Sequence, residues 1–196
     1  CTGATVRSDG ISAVNPISYM YRNSGRLNDN PTIQETPVEV LEAQFPVRVK
    51  RYEFIPDSGG AGKFRGGASP RRTYEALETA DLNVRHSMSF VIPSEGVDEG
   101  QSGRKGRVVL NIDTPEEKVL DGWSVELSSG DTLTFESGGG GGVGDPISRS
   151  PVAVLRDVSE GFVSVQGAMT DYGVVINEKN GTFVLNSEAT AKARAK

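Results

Sequence analysis

The sequence predicts a mainly β member of the α+β class, with antiparallel sheets in a sandwich or barrel-like core and short helices near the carboxyl terminus. Short segments of alternating apolar residues recur between residues 47 and 135, and glycine-rich or proline-containing clusters separate them. Apart from a short helix start at Thr36-Pro37, helical spacing prevails after Pro146. Because no repeat of fixed period is present in the sequence, we expect one unit around one sizeable core or two small ones.

Residues 1–35 form the first predicted segment, an extended lead-in that is polar and rich in turn formers. Asn15-Pro16, Asn23-Ser24-Gly25 and Asn28-Asp29-Asn30-Pro31 interrupt any regular period. The chain opens at Cys1 with no initiator methionine and no apolar signal core, which predicts a start at an internal boundary. We therefore expect the lead-in to dock on a missing segment or on a partner.

A β-rich domain is predicted over residues 36–186, and it opens with a helix and a strand. Thr36-Pro37 should begin the helix, with the threonine as its cap and the proline at the first helical position. The helix is expected to end at Phe45, before a second proline. The strand from Val47 to Ile55 changes its apolar parity near Lys50-Arg51, which predicts a bulge.

A hairpin is the clearest element of the predicted sheets. Trp123 to Leu127 and Leu133 to Phe135 place apolar side chains on one face, and the turn formers Ser128 to Asp131 join them. Other strands are predicted at Arg71 to Leu77, Leu82 to His86 and Val108 to Ile112.

Two glycine-rich segments, 57–67 and 138–146, separate the strands. The first is expected to form a tight loop with close backbone approach, and the second is expected to leave the sheet. Neither matches a phosphate-binding motif: Phe64 stands where a P-loop has a hydroxyl, and Pro146 interrupts the chain before any helix follows the second segment.

Helical spacing after Pro146 predicts two short helices, a strand pair and a tail. Ser150-Pro151 starts the first helix, and Ser164 caps a second that ends at Tyr172-Gly173. Strands on either side of Asn180-Gly181 form a terminal hairpin. Residues 187–196 are predicted to be a frayed helical tail.

The net charge and the scarcity of cysteine and histidine restrict the function classes. A net charge of -5 argues against a dedicated nucleic-acid binder. Residues 47–75 nevertheless carry seven bases against three acids, which suits either an anionic substrate or acidic partner, or simply a solvated strand face. With Cys1 as the only cysteine and His86 as the only histidine, we expect no metal bound by this chain and a reducing, cytoplasmic setting.

Asp57 and Asp145 are the candidate catalytic residues, because each lies beside a glycine-rich segment that can present a carboxylate on exposed backbone. The alternative is that each carboxylate accepts hydrogen bonds from nearby amides and holds a turn. A lone His86 is more often a packed or surface residue than a catalyst. Cys1 could act as an amino-terminal nucleophile, although a chance cysteine at a boundary explains it equally well.

Four motifs in order resemble the carboxy-terminal third of the hydantoinase B/oxoprolinase family, between about Asn15 and Ile176. They are Thr36 to Val49, Pro56 to Gly67, Gly138 to Pro146 and Asp171 to Val175. The resemblance implies that the loops around these motifs contact substrate or a neighbouring subunit. The residues concerned are Ser58, Gly59, Gly60, Arg65, Gly139, Gly140, Gly141 and Tyr172.

The resemblance implies part of an ATP-dependent, ring-opening hydrolase of hydantoins, 5-oxoproline or related lactams. The alternatives are a component of an acetone- or acetophenone-type ketone carboxylase and a docking module without catalysis. In such systems ATP and magnesium bind a partner with an actin-like fold, and a divalent metal binds the amino-terminal region of the B-type subunit. No cofactor is expected on this chain, and the partners are that region and the ATPase subunit.

The stretch from His86 to Gly96 departs from the family pattern. An arginine-rich run followed by Pro-x-Gly and a double glycine is usual there, whereas this sequence has no double glycine in the stretch. The substrate class is therefore left open by the sequence.

Overall fold

The computed structural model describes residues 37–84, 90–121 and 124–195, and within these ranges the fold is α+β with antiparallel sheets. The predicted fold class is confirmed, and the described strands close no barrel. The helices are α1 (Val38–Gln44), α2 (Pro151–Ser159), α3 (Val165–Tyr172) and α4 (Ser187–Arg194). The strands are β1 (Val47–Phe54), β2 (Pro70–Ala76), β3 (Ala80–Asn83), β4 (Arg107–Leu110), β5 (Lys118–Val119), β6 (Ser124–Leu127), β7 (Thr132–Glu136), β8 (Ile176–Lys179) and β9 (Thr182–Leu185).

The main sheet has five antiparallel strands in the order β1-β2-β7-β4-β5. Its register shifts between Val49 and Arg51 on β1, so the predicted bulge is confirmed. Helix α1 ends before Pro46 as expected, but Pro37 is its cap residue and not its first helical residue. Thr36, the predicted cap, lies outside the described residues.

A small second sheet, β3 paired with β6, shares an apolar core with the main sheet. The core between the two layers consists of Ala76, Val84, Val108, Leu127 and Leu133, all at most 5% exposed. Such a two-layer arrangement is how a sheet with one apolar face buries it. This packing gives the sandwich that the sequence predicts.

The predicted hairpin of β6 and β7 is wrong, because the two strands belong to different sheets. The turn itself forms, since the Asp131 amide donates to the Ser128 carbonyl at 3.0 Å. Its backbone then bonds to the end of β2: the Gly130 amide donates to the Ala76 carbonyl, and the Ala76 amide donates to the Asp131 carbonyl. These bonds carry the chain from one layer to the other.

A second core lies in the carboxy-terminal part, where α2 and α3 pack with the β8–β9 hairpin. Val154, Val158, Ala168, Tyr172 and Val174 are buried in it. Three local predictions are confirmed here. Ser150 is the cap residue of α2, the Ser164 hydroxyl accepts from the Gly167 amide at 2.8 Å, and Asn180-Gly181 turns the hairpin with positive φ.

The terminal segment is an ordered helix in the structure, in contrast to the frayed tail that the sequence predicts. The Asn186 side chain caps α4 by accepting from the Ala189 amide at 3.0 Å. The Thr190 hydroxyl is buried and accepts from the Val175 amide. The Arg194 guanidinium donates to the carbonyls of Tyr172 and Arg149, which fixes the last turn.

Three glycine-rich segments, 58–67, 94–106 and 137–144, pack against each other through their backbones. We call this assembly the glycine stack. As predicted, the third segment leaves the sheet, but it remains hydrogen-bonded. The Gly60 amide donates to the Gly140 carbonyl at 2.8 Å, and the Gly142 amide donates to the Gln101 carbonyl at 2.9 Å. The stack connects the main sheet with the carboxy-terminal helices.

Close approach explains the glycine content of the stack. A Cβ atom at any of ten glycines would lie within 3.0 Å of backbone in a neighbouring part of the stack. A side chain would therefore force the segments apart. The ten are Gly59, Gly60, Gly62, Gly66, Gly96, Gly100, Gly103, Gly139, Gly141 and Gly142.

Candidate functional site

The predicted site residues converge in part where the first segment of the glycine stack meets α2 and α3. Asp57, Arg65 and Tyr172 lie there, together with Arg149 and Asp157 from the helical part. We call these five residues the stack–helix junction. The glycine stack is the rigid side of this junction, and the helical part supplies most of its side chains.

Asp57 holds the amino end of α3. Its backbone has a φ of 56°, its amide donates to the Phe162 carbonyl at 3.0 Å, and its Oδ1 accepts from the Ser164 amide at 2.9 Å. The absence of a side chain at Gly167 lets the carboxylate come this close, because a Cβ there would collide with it. A carboxylate in this place also complements the helix dipole. The structure therefore shows Asp57 holding a turn, and a catalytic role of Asp57 stays a prediction.

Asp171 is a second carboxylate beside Asp57, and the sequence reasoning did not single it out as catalytic. It lies four residues after Gly167, on the same face of α3. Burial raises the pKa of Asp171, a hydrogen bond from Thr170 opposes the rise, and the charge of Asp57 adds to it. A carboxyl group whose pKa is raised beside a second carboxylate is a common arrangement for proton transfer.

A buried ion-pair network lies at the centre of the junction. Arg149 donates to Asp157 Oδ2 through Nε at 3.1 Å and through Nη2 at 2.8 Å, and the Nε of Arg65 lies 3.6 Å from the same oxygen. All three side chains are at most 9% exposed. Two guanidiniums therefore share one carboxylate in a region from which water is largely excluded.

The same arginines attach the first segment of the glycine stack to the helices. Arg149 donates through Nη1 to the Lys63 carbonyl at 2.8 Å, and Arg65 donates to the carbonyl of its neighbour Gly66 at 2.7 Å. The Arg65 guanidinium also lies 4.8 Å from the centre of the Phe162 ring. This network positions residues 57–67, including Asp57, relative to α3.

Tyr172 lies in the carboxy-terminal core and is only 2% exposed. Burial raises the pKa of its hydroxyl, more than the nearby Arg149 and Arg65 lower it. The phenol therefore stays protonated at physiological pH. Its predicted contact with substrate stays a prediction.

Ser58 and the glycines predicted to form substrate or interface loops lie within the stack. The Ser58 hydroxyl donates to the Ile55 carbonyl at 2.6 Å and accepts from the Ser69 amide at 2.7 Å. Gly60, Gly139, Gly140 and Gly141 are buried, and Gly59 is partly buried. These residues shape the frame of the junction, and a direct contact of theirs with substrate stays a prediction.

Asp145 caps the short 3-10 turn at Pro146–Ser148, where its Oδ1 accepts from the Ile147 amide at 2.9 Å. It contacts a different element from Asp57, so the structure does not bring the two predicted catalytic carboxylates onto one helix end. His86 and Cys1 lie outside the described residues.

A second charged cluster lies at the end of β7, the central strand of the main sheet. Glu136 is fully buried, and the register places Arg71 and Arg107 directly opposite it on the two neighbouring strands. Arg71 Nε donates to Oε1 at 2.7 Å, and Arg104 Nη2 and Arg107 Nε donate to Oε2 at 2.8 Å and 2.5 Å. Burial opposes ionisation, but the hydrogen bonds from Arg107 and Arg71 outweigh it and hold the pKa of Glu136 below its ordinary value.

Lowering the pH is expected to reduce the free energy of unfolding, because Glu136 becomes protonated. Because its folded-state pKa lies below the ordinary value of 4.5, its stabilising contribution is complete above that pH and is lost as the pH falls through the folded-state pKa. Urea unfolding between about pH 6 and pH 3 should show this loss, and Glu136→Gln should flatten the dependence in that window. Parallel acid dependence of the two proteins would contradict the assignment.

Two further findings concern metal ions and membrane-spanning helices. Over the described ranges, no group of three or more His, Cys, Asp or Glu side chains is arranged to hold a metal ion. Within the same part of the chain, no helix has the length and apolar character that crossing a membrane requires.

Comparison with known proteins gives the family. A sequence model described as Hydantoinase B/oxoprolinase matches residues 2–146. The caprolactamase beta subunit of Pseudomonas jessenii is 35% identical over 163 residues, which cover 81% of this chain and 28% of that protein. A putative D-/L-hydantoinase of a Pseudomonas species has a B-type subunit that is 30% identical over 179 residues, or 90% of this chain and 28% of that protein.

Solved structures agree with this relationship. The crystal structure of the ATP-dependent caprolactamase from Pseudomonas jessenii superposes with a TM-score of 0.70 at 33% identity, over 83% of this chain and 28% of that one. Nucleotide-free acetone carboxylase has the same fold, with a TM-score of 0.66 at 24% identity over 85% of this chain and 26% of that one. This chain spans about 28% of the length of the relatives that it matches. The chain belongs to the hydantoinase B/oxoprolinase family.

Proposed function

We propose that this chain is part of an ATP-dependent, ring-opening hydrolase of cyclic amides. Similarity to the caprolactamase beta subunit carries the proposal, because 35% identity extends over 81% of the chain and the fold superposes with a TM-score of 0.70. The identity to the acetone carboxylase alpha subunit is lower, at 26%. Cyclic amides are therefore favoured over ketones as the substrate class.

Within such an enzyme, the stack–helix junction is proposed to take part in proton transfer. Opening an amide ring requires removal of a proton from the attacking water and delivery of a proton to the departing nitrogen. Burial raises the pKa of Asp171 and the nearby charge of Asp57 adds to the rise, so Asp171 is suited to carry a proton. Asp145 remains a second candidate, at the adjoining 3-10 turn.

The site is proposed to be completed by other segments or subunits, since this chain spans about 28% of its relatives. The proposed partners are the remaining part of the B-type subunit and an ATPase subunit with an actin-like fold. ATP and magnesium on that partner would supply the activation of the amide, and a divalent metal would bind in the remaining B-type segment. The cytoplasmic location stays a prediction.

A reconstitution tests the proposed function. The chain joined to its remaining family segment is combined with the ATPase subunit, and ATP hydrolysis is measured with caprolactam, hydantoin, 5-oxoproline, or acetophenone with bicarbonate. We expect turnover that depends on a cyclic amide. Turnover only with ketone and bicarbonate would assign the carboxylase activity instead. Turnover with none of these substrates would favour the alternative of a docking module without catalysis.

Asp57→Asn is expected to lower cyclic-amide turnover by a factor of about 100 or more, because loss of general acid–base catalysis has effects of this size. The asparagine oxygen still accepts from the Ser164 amide, so the melting temperature should change little. Asp171→Asn and Asp145→Asn are measured beside it. Asp113→Asn, which alters an exposed ion pair with Arg51, is the control and should retain turnover.

Stability and turnover together decide the interpretation of these variants. A large loss of melting temperature in Asp57→Asn or Asp145→Asn with turnover retained would assign the residue a purely turn-holding role.

Asp171→Asn should be slightly more stable than the parent at neutral pH, because burial disfavours the ionised carboxylate that it removes.

A further inference from the structure

An open cavity of about 320 Å³ lies at the β4–β5 edge of the main sheet, away from the stack–helix junction. Its walls are largely apolar and include Phe90, Val91, Val119 and Leu120. The volume lies at the small end of the range for ligand sites in proteins. A cavity of this size and lining accommodates a short hydrocarbon body.

Arg107 lines the cavity, and its side chain is held in a defined orientation. It donates to Glu136 through Nε at 2.5 Å and through Nη2 at 3.4 Å. Among the described residues, none accepts a hydrogen bond from its Nη1, and the side chain is 32% exposed. A guanidinium fixed by a buried carboxylate has a direct use in the recognition of an anion, because little side-chain entropy is lost on binding.

Three guanidinium groups surround Glu136, which is more positive charge than one carboxylate needs for neutralisation. Arg71 alone supplies two close contacts to Oε1, while Arg104 and Arg107 both approach Oε2. Two like charges on one oxygen repel each other, and both side chains are about one-third exposed. Carboxylates that do not line the cavity balance part of this charge, since Glu53 pairs with Arg71 and the charges of Glu117 and Asp113 act on Arg107. The exposed part of Arg107 remains the cationic group on the cavity wall, where an anionic ligand can pair with it.

Asp121 also lines the cavity and limits the charge of the ligand. A carboxylate on the cavity surface repels polyanions, so a phosphate with two negative charges is disfavoured. A single carboxylate on an apolar body satisfies Arg107 and the walls together. We propose that this cavity binds a small organic monocarboxylate, with its carboxylate on Arg107 and its apolar body against Val119 and Leu120.

Calorimetric titration of the complete complex with hexanoate tests the proposal. The interaction of about eight heavy atoms with an open cavity predicts a dissociation constant in the millimolar range. Hexanol, which lacks the charge, and inorganic phosphate, which lacks the apolar body, should each bind at least about tenfold more weakly. Equal binding of hexanol or phosphate, or no binding of hexanoate, would overturn the proposal.

Variants distinguish this cavity from other sites. Arg107→Gln should weaken hexanoate binding by about tenfold or more, and Arg48→Gln, an arginine on the opposite edge strand with 60% exposure, should leave it unchanged. Because Arg107→Gln also alters the contacts of Glu136, Val119→Ser provides a second variant that keeps all three arginines and should weaken hexanoate but not phosphate. Undiminished hexanoate affinity in Val119→Ser would refute the cavity as the site. The result is independent of turnover with cyclic amides.

Discussion

Replacing Gly141 with alanine is expected to destabilise the native structure by about 3 kcal/mol or more. The new Cβ would lie within 2.5 Å of the carbonyl carbon of Glu95, and both groups are part of the backbone of the glycine stack. Neither can move aside as a flexible side chain would, so the neighbouring segments must separate and lose their mutual hydrogen bonds. Overpacking of a well-packed interior commonly costs about 1–3 kcal/mol, and rigid backbone contacts place this substitution at or above that limit. Soluble yield and thermal unfolding by circular dichroism measure the effect.

Gly130→Ala is the matched control for this prediction. Gly130 lies in the turn between β6 and β7, has a φ of 94°, and has open space where a Cβ would be built. Alanine there incurs the conformational cost of a positive φ, about 1–2 kcal/mol, without a collision. The control variant should therefore fold with a lowered melting temperature. Equal stabilities of the two variants would show that close packing of the stack is not what requires glycine at position 141.

Replacing Asp157 with asparagine is expected to destabilise the protein by about 3–5 kcal/mol, because it leaves buried guanidiniums without their counter-charge. Arg149 and Arg65 both approach Asp157 Oδ2, and these side chains are nearly inaccessible to water. Loss of the carboxylate should also loosen residues 57–67, since Arg149 donates to the Lys63 carbonyl. Urea unfolding gives the free energy of unfolding, and hydrogen exchange of the Asp57 to Gly67 amides reports the local effect.

Glu188→Gln is the control for Asp157→Asn. Glu188 pairs with Lys192 one turn along α4, and both side chains are more than 75% exposed. An exposed pair of this kind contributes about 0.3–0.5 kcal/mol. A change of similar size in Asp157→Asn would mean that the buried network contributes no more than a surface pair.

Local signals made part of this fold predictable from sequence. Ser164 before α3, Gly173 after it and Asn180-Gly181 in the last hairpin each determine the backbone within a few residues, and each is found as expected. The chemistry of caps and turns is local, so the sequence contains what is needed.

The pairing of β6 and β7 could not be predicted in the same way. Two apolar strands joined by a turn favour a hairpin locally, but bonds between that turn and Ala76, more than fifty residues away, direct the strands into different layers. Which strands pair with each other depends on the hydrogen bonds and packing of the whole sheet, and not only on neighbours in sequence. The sequence pattern near the turn does not contain that information.

The candidate site was predictable only in part for a related reason. Asp57 and Arg65 could be chosen from their own segment and its resemblance to the family, whereas Asp157 and Asp171 acquire importance from what packs on them. Asp171 stood within a matched motif, and its spacing of four from Gly167 was the signal that could have identified it. The closeness of Asp57 to that helix face follows from tertiary structure alone.

The glycine stack has a consequence for the thermodynamics of unfolding. Its interior consists mainly of peptide groups that bond to each other, with few apolar side chains. Exposure of peptide groups to water lowers the heat capacity, whereas exposure of apolar surface raises it. Unfolding of the stack therefore adds less heat capacity per residue than unfolding of the two apolar cores. The enthalpy and the entropy of unfolding the stack therefore vary little with temperature, so this backbone does not share the loss of stability that hydrophobic packing undergoes in the cold.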